Sequence, residues 1–160
     1  MKKSFLIITL LIANICFGQQ INVRGNWNKE LLTSEITLAG NDYNLSYLSK
    51  PNQSEITIKS HPKSKYFNLY GHFKVFVHKE DNEWHPNLNL QLKRTSNGTN
   101  GNYNISSGTE FQIITNNSTF FFGSVGKQDK IPIQYNIKGI SVLLPVKTYS
   151  TQIVFTVLDL

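Results

Sequence analysis

The chain has 160 residues, of which 39% are hydrophobic and 16% charged, and its formal net charge is +6. This length and apolar fraction fit one globular domain with a buried core and argue against a disordered chain. A single cysteine, Cys16, excludes an intrachain disulfide framework.

The first segment has the pattern of an export signal. Lys2 and Lys3 form a charged head, and residues 5–13 form a largely apolar run. This run is much shorter than the roughly 20 residues that a membrane-spanning helix needs. We therefore predict a signal peptide over residues 1–18, cleaved after Gly18, and a single domain over residues 19–160. An uncleaved membrane anchor is the less favoured alternative.

Export has three consequences for the mature chain. We expect a periplasmic, cell-surface or extracellular location. Cys16 would leave with the signal, so disulfides could not stabilise the domain; lipidation at Cys16 is disfavoured because Ile15, a large residue, precedes it. Loss of two lysines leaves 14 basic and 10 acidic residues, a net charge of +4. This charge is compatible with a polyanionic partner, but solubility explains it more simply.

Short alternating runs recur about every ten residues between clusters of Asn, Gly, Ser and Pro, and no helical period exceeds two turns. This spacing is typical of an all-β sandwich or barrel. The predicted strands are Ile21–Gly25, Glu35–Leu38, Tyr43–Leu48, Glu55–Ser60, Tyr66–His78, Asn87–Arg94, Glu110–Thr115, Thr119–Gly123, Ile131–Gly139 and Thr148–Leu158.

Several of these strands have one clearly apolar face. The alternation predicts that one face of each strand packs in the core. Pro132 lacks a backbone donor, which indicates a sheet edge or a strand start at that point. In the last strand, Ile153 and Phe155 share a face with Tyr149 and are predicted core residues. The other predicted core residues are Phe73, Val75, Val77, Leu88, Leu90, Leu92, Ile131, Ile133, Tyr135 and Ile137.

The common motifs of catalytic and metal sites are absent from the sequence. Asp81 and Glu83 are expected in a turn rather than as a pair facing a cleft. His72 and His78 share a predicted strand face, but six residues separate them by about 20 Å, too far to bind one ion together. We therefore expect no enzymatic activity, no metal site and no cofactor.

Aromatic residues are numerous for a small sandwich, and core filling is the favoured role for most of them. Phe120 and Phe122 are predicted to share one strand face, with Phe121 on the other. Trp84 lies in the polar run KEDNEWHPN and is the aromatic residue most expected outside the core. It is therefore the candidate ligand-binding aromatic residue.

The segment KIPIQYNIKGISVLLPVKTYSTQIVFTVLDL, residues 130–160, resembles the C-terminal region of spore coat protein U-type and fimbrial subunits. The shared elements are a short strand, a loop with Gly or Pro, and Tyr149 opening an alternating final strand. The end of the signal, FGQ, is similar to that of secreted Bacteroidetes proteins. The resemblance implies an immunoglobulin-like, pilin-like antiparallel β-sandwich that polymerises by strand exchange.

The start of the mature chain fits this resemblance. Ile21, Val23, Gly25 and Trp27 fall on one strand face, as in the donor segments of fimbrial subunits. Two interpretations stay open: the segment is the chain's own first strand, which is simpler, or it completes the sheet of a neighbouring subunit.

These observations lead to two functional hypotheses. The first is a secreted structural or adhesive cell-surface subunit without catalytic activity, whose partners are copies of itself or other surface subunits joined by strand addition. The alternative is a soluble extracellular carbohydrate-binding module that uses Trp84 to bind surface glycans. Neither hypothesis involves nucleic acid or a transmembrane segment.

Overall fold

A computed structural model of the chain describes residues 20–35, 43–59, 62–64, 69–99 and 104–160. The predicted signal peptide lies outside the described residues, as do residues 36–38 and 66–68 of two predicted strands. No helix among the described residues is long and apolar enough to cross a membrane.

Eleven strands and one short 3-10 helix, Thr33–Glu35, make up the described secondary structure. The strands are β1 (Gln20–Arg24), β2 (Ser46–Leu48), β3 (Ser54–Lys59), β4 (Pro62–Ser64), β5 (Leu69–Tyr70), β6 (His72–Glu83), β7 (Asn89–Arg94), β8 (Gln112–Ile113), β9 (Thr119–Val125), β10 (Gln128–Lys138) and β11 (Ser150–Asp159).

The strands form two main antiparallel sheets, which confirms the all-β prediction. The larger sheet has the order β1-β3-β10-β7-β8, and β2 pairs with the C-terminal end of β10. The smaller sheet has the order β11-β6-β9. Strands β4 and β5 pair separately.

The core lies between these two sheets in a sandwich-like arrangement, because both sheets contribute buried side chains to one cluster. The alternating runs of β6, β7 and β10 place most of their predicted core residues in this cluster, but Ile137 is only partly buried against it. Leu88 is buried but precedes β7 and lies outside the cluster. The buried residues from the larger sheet are Ile56, Ile58, Leu90, Leu92, Ile131, Ile133 and Tyr135; those from the smaller sheet are Phe73, Val75, Val77, Phe121, Phe122 and Phe155.

Pro132 lies in the middle of β10, which is a central strand, so the predicted edge position is wrong. Pro132 pairs with Glu55 of β3, and its carbonyl accepts a hydrogen bond from the backbone of Thr95 at 3.0 Å. Thr95 directly follows β7. In an antiparallel pair the N and C=O of one residue face the same neighbour, so the missing N–H faces Thr95, one residue beyond the end of β7. The bond from the Thr95 N–H still joins the two segments at this point.

Two other predictions of secondary structure are wrong. Glu35 belongs to the 3-10 helix, where its N–H bonds to the carbonyl of Leu32 at 3.0 Å. Asp81 and Glu83 belong to β6 rather than to a turn, because β11 pairs with β6 along its whole C-terminal half. Cross-strand pairing overrides the polar composition of this segment.

A β-bulge in β9 corrects the prediction for the three consecutive phenylalanines. The register opposite β6 shifts so that Val75 pairs with Phe122 and Phe76 pairs with Phe120. Phe121 is the extra residue, and both Phe121 and Phe122 are buried. Phe120 is instead partly exposed beside Phe76. The bulge thus places two adjacent aromatic rings in the core.

Arg94, at the end of β7, is buried and attaches the following segment to the sheet. Its guanidinium donates hydrogen bonds to the carbonyls of Ser107 and Ile105 and to the side-chain oxygen of Asn97. Desolvation lowers the pKa of Arg94, but an arginine remains protonated in proteins. All acceptors of this cation among the described residues are uncharged.

The last strand is paired and packed, as its alternation predicts. Strand β11 pairs with β6 over its full length, and Phe155 is a core residue whose ring lies 6.2 Å from that of Phe121. Ile153 is partly buried against the same cluster. Phe155 therefore anchors the edge of the smaller sheet.

We predict that Phe155→Ala lowers the free energy of unfolding by about 3–5 kcal/mol, because it removes a buried aromatic ring from the core. Chemical denaturation measures this change. Thr156→Ala is the matched control, since Thr156 is exposed on the opposite face. Equal stability of the two variants would contradict the anchoring role of Phe155.

Candidate functional site

A cleft of about 620 Å³ lies at the end of the sandwich where β6 and β10 finish and β11 begins. We call it the end cleft. It is lined by residues 28–31, Tyr43, Trp84, Leu88, Ile137, residues 140–142 and residues 144–149. The cleft is open to solvent along residues 142–146, and its volume lies in the range of small-molecule binding sites, which is roughly 300–1,000 Å³.

Gly139 starts the loop that forms one wall of the end cleft. Its φ is +85°, and a Cβ atom there would lie 2.1 Å from the carbonyl oxygen of Asn87. Only glycine fits this position, because the left-handed backbone and the close approach both exclude a side chain. The chain can therefore leave β10 sharply and fold back toward β11.

Local hydrogen bonds hold the loop in one shape. The N–H of Leu144 bonds to the carbonyl of Ser141 at 3.0 Å, and the hydroxyl of Tyr149 bonds to the carbonyl of Pro145 at 2.6 Å. The ring of Tyr149 also contacts that of His85 edge to face, with centroids 6.0 Å apart. The loop therefore presents Tyr149 to the cleft in a defined position.

Trp84 follows β6 directly and contributes an aromatic surface to the cleft. The indole is half-buried against the core, and its N–H donates to the carbonyl of Leu88 at 2.9 Å. The Lys79 ammonium lies 5.7 Å from the ring centroid. These contacts fix the ring while part of it stays accessible to a ligand.

Two lysines line the cleft, and each is paired with a glutamate outside the lining. Lys29 bonds to Glu35 at 2.6 Å, and Lys147 bonds to Glu83 at 2.8 Å. These hydrogen bonds hold the pKa values of the Glu35 and Glu83 carboxyls below their ordinary value. The hydrogen bond to Glu83 also raises the pKa of Lys147. Both pairs are therefore charged at neutral pH.

A third ion pair, between Lys79 and Asp81, lies beside the Trp84 ring. Lys79 is buried and bonds to Asp81. Burial alone would raise the pKa of Asp81, but hydrogen bonds from Lys79 and Thr151 and the charge of Lys79 hold it below its ordinary value. The pair thus links β6, β11 and the indole.

Of the two predicted sites, the structure places only Trp84 in the end cleft. Ile21 and Val23 lie on β1, which pairs with β3 of the same chain; Val23 is 39% exposed. Gly25 follows this strand with a φ of +100°, and its Cβ would clash with the carbonyl of Gln53. Trp27 stacks on Tyr135 with centroids 6.1 Å apart. None of these four residues lines the end cleft, although Trp27 directly precedes the lining residue Asn28.

Lys29, Tyr149 and the loop were not predicted from the sequence as parts of a site. One signal was present: the run GISVLLPV begins with a glycine, carries a proline and has no strand alternation. Such a run indicates a loop that exposes aliphatic side chains. In the structure Leu143 is 89% exposed and Val146 is fully exposed.

Within the described part of the chain, no group of three or more His, Cys, Asp or Glu residues could hold a metal ion. Comparisons with protein-family models, with curated proteins and with solved structures find no match to this chain.

We predict that Asp81→Asn lowers the free energy of unfolding by about 1–2 kcal/mol at pH 7, because it leaves the buried Lys79 without its carboxylate. The effect is moderate because Asp81 is partly exposed to solvent. Because the pKa of the Asp81 carboxyl is lower in the folded than in the unfolded state, the carboxylate stabilises the fold above the unfolded pKa of about 3.9. This stabilisation is lost as pH falls through the folded pKa. The difference from wild type should therefore vanish in strong acid.

Denaturation curves between pH 2 and pH 7 measure this dependence. Glu80→Gln is the control, because Glu80 is exposed. Among the described residues its one ionic contact is with the imidazole of His78, 3.6 Å away. A difference between Asp81→Asn and wild type that does not change with pH would contradict the ion-pair interpretation.

Proposed function

We propose that this protein is an exported, non-catalytic adhesive domain that binds carbohydrate in the end cleft. The observation that carries the proposal is the position of Trp84 and Tyr149 on the wall of one cleft, fixed there by separate elements. Aromatic faces pack against the apolar faces of sugar rings, while nearby polar groups bind hydroxyls. Asn28, Ser141 and Thr148 supply such polar groups.

The way in which Trp84 and the loop are held also favours a binding site over a purely structural role. The indole N–H of Trp84 is already bonded to the carbonyl of Leu88, and the ring is only half-buried against the core. The loop over residues 140–149 is held by its own hydrogen bonds, so little ordering is needed when a ligand binds. A preorganised site loses less entropy on binding.

We predict that Trp84→Ala weakens binding to oligosaccharides by about tenfold or more, because aromatic anchors dominate the binding energy of such sites. Tyr149→Ala should also weaken binding, because Tyr149 lines the same cleft. A glycan array identifies ligands, and isothermal titration calorimetry measures the affinities.

Phe120→Ala is the matched control, because Phe120 is a partly exposed aromatic residue on β9 that does not line the cleft. Thermal melting establishes that each variant is folded. Unchanged binding by folded Trp84→Ala and Tyr149→Ala would contradict a binding role for the end cleft.

A specific feature of β11 favours a second candidate, a fimbria-like or coat-like subunit with an immunoglobulin-like, pilin-like sandwich. Among the described strands, β11 has one neighbour in its sheet, β6. The N–H of Leu160 bonds to His72, so the alternate residues Ile153 and Val157 direct their backbone groups away from β6. Although β1 of the same chain lies close to β11, no described strand other than β6 hydrogen-bonds to β11. An edge of this kind can accept a further strand.

Deletion of Gln19–Asn26 tests the subunit hypothesis. If this segment is a donor, the shortened protein should remain folded, lose the ability to polymerise and bind the matching peptide in trans. Light scattering and circular dichroism measure assembly and folding. A monomeric wild-type protein that unfolds on deletion would contradict the hypothesis, and the pairing of β1 with β3 in one chain supports that outcome.

A further inference from the structure

We infer that the glycan bound in the end cleft is uncharged, and that the cleft discriminates against acidic sugars. This inference rests on the proposed function, because it specifies the ligand class of the same site.

The first argument is that both lysines in the cleft are already paired with carboxylates. The ammonium of Lys29 bonds to Glu35 at 2.6 Å and lies 5.0 Å from the centroid of the Tyr47 ring. The ammonium of Lys147 bonds to Glu83 at 2.8 Å and lies 5.4 Å from the centroid of the Tyr149 ring. An acidic sugar would have to compete with Glu35 or Glu83 for the charge of each ammonium group.

The second argument is the local balance of charge. Glu30 lines the cleft together with Lys29 and Lys147. With Glu35 and Glu83 included, three carboxylates surround two ammonium groups. The local net charge is therefore −1, although the whole chain is basic. A sugar carboxylate or sulfate entering this site would lose solvation and meet repulsion.

The third argument is the character of the walls. Val142 and Val146 line the cleft and are exposed at its rim, while Leu88 and Ile137 form deeper parts of the lining. A site for polyanions displays cations at its rim, where they steer the ligand. Aliphatic and aromatic walls instead match the C–H faces of neutral sugar rings.

Calorimetric titrations of the mature protein with two matched sets of ligands test the inference. Hexasaccharides of glucose, xylose and mannose are the neutral set, and hexagalacturonate is the acidic ligand of equal length. We expect at least one neutral hexasaccharide to bind and hexagalacturonate to bind at least tenfold more weakly. Preference for hexagalacturonate would overturn the inference and leave the proposed function intact, whereas binding of neither set would overturn both.

A charge variant tests the physical cause. Glu83→Gln frees Lys147 without altering a lining residue, so affinity for hexagalacturonate at low ionic strength should rise by about 1.5- to 5-fold. Glu110→Gln removes an exposed carboxylate that does not line the cleft and should leave affinity unchanged. Identical effects of the two variants would show that pairing of Lys147 does not exclude acidic ligands.

Discussion

The fold depends on one central strand. Strand β10 hydrogen-bonds to β3 and β2 along one edge and to β7 along the other, and its residues Ile131, Ile133 and Tyr135 fill the middle of the core. With no disulfide among the described residues, this combination of ladder bonds and apolar burial must order the larger sheet. It also fixes the point at which the chain leaves the sheet at Gly139, and hence the position of the end cleft.

Strand identity could be predicted from the sequence wherever an apolar face repeats with period two. The runs of β6, β7 and β10 carry that pattern because each buries one face. The prediction failed where partners elsewhere in the chain decide the geometry. Neither the bulge that buries Phe121 beside Phe122 nor the pairing that extends β6 to Glu83 leaves a local signal.

The site was less accessible to sequence reasoning than the fold. Trp84 could be singled out because an indole in a polar run is unusual. Lys29 and Tyr149 could not, since more than 50 residues separate each of them from Trp84 and only the folded chain brings them together. The pairing of both cleft lysines with glutamates was equally hidden, because charge counts do not reveal which cations are neutralised.

The two ends of the sandwich are held by charges of different kinds. Near the end cleft, ion pairs depend on the carboxylates of Glu35, Asp81 and Glu83, which acid can protonate. At the opposite end, Arg94 binds only uncharged oxygens among the described residues. Acidification should therefore loosen the domain from the cleft end first and spare the segment tied to Arg94.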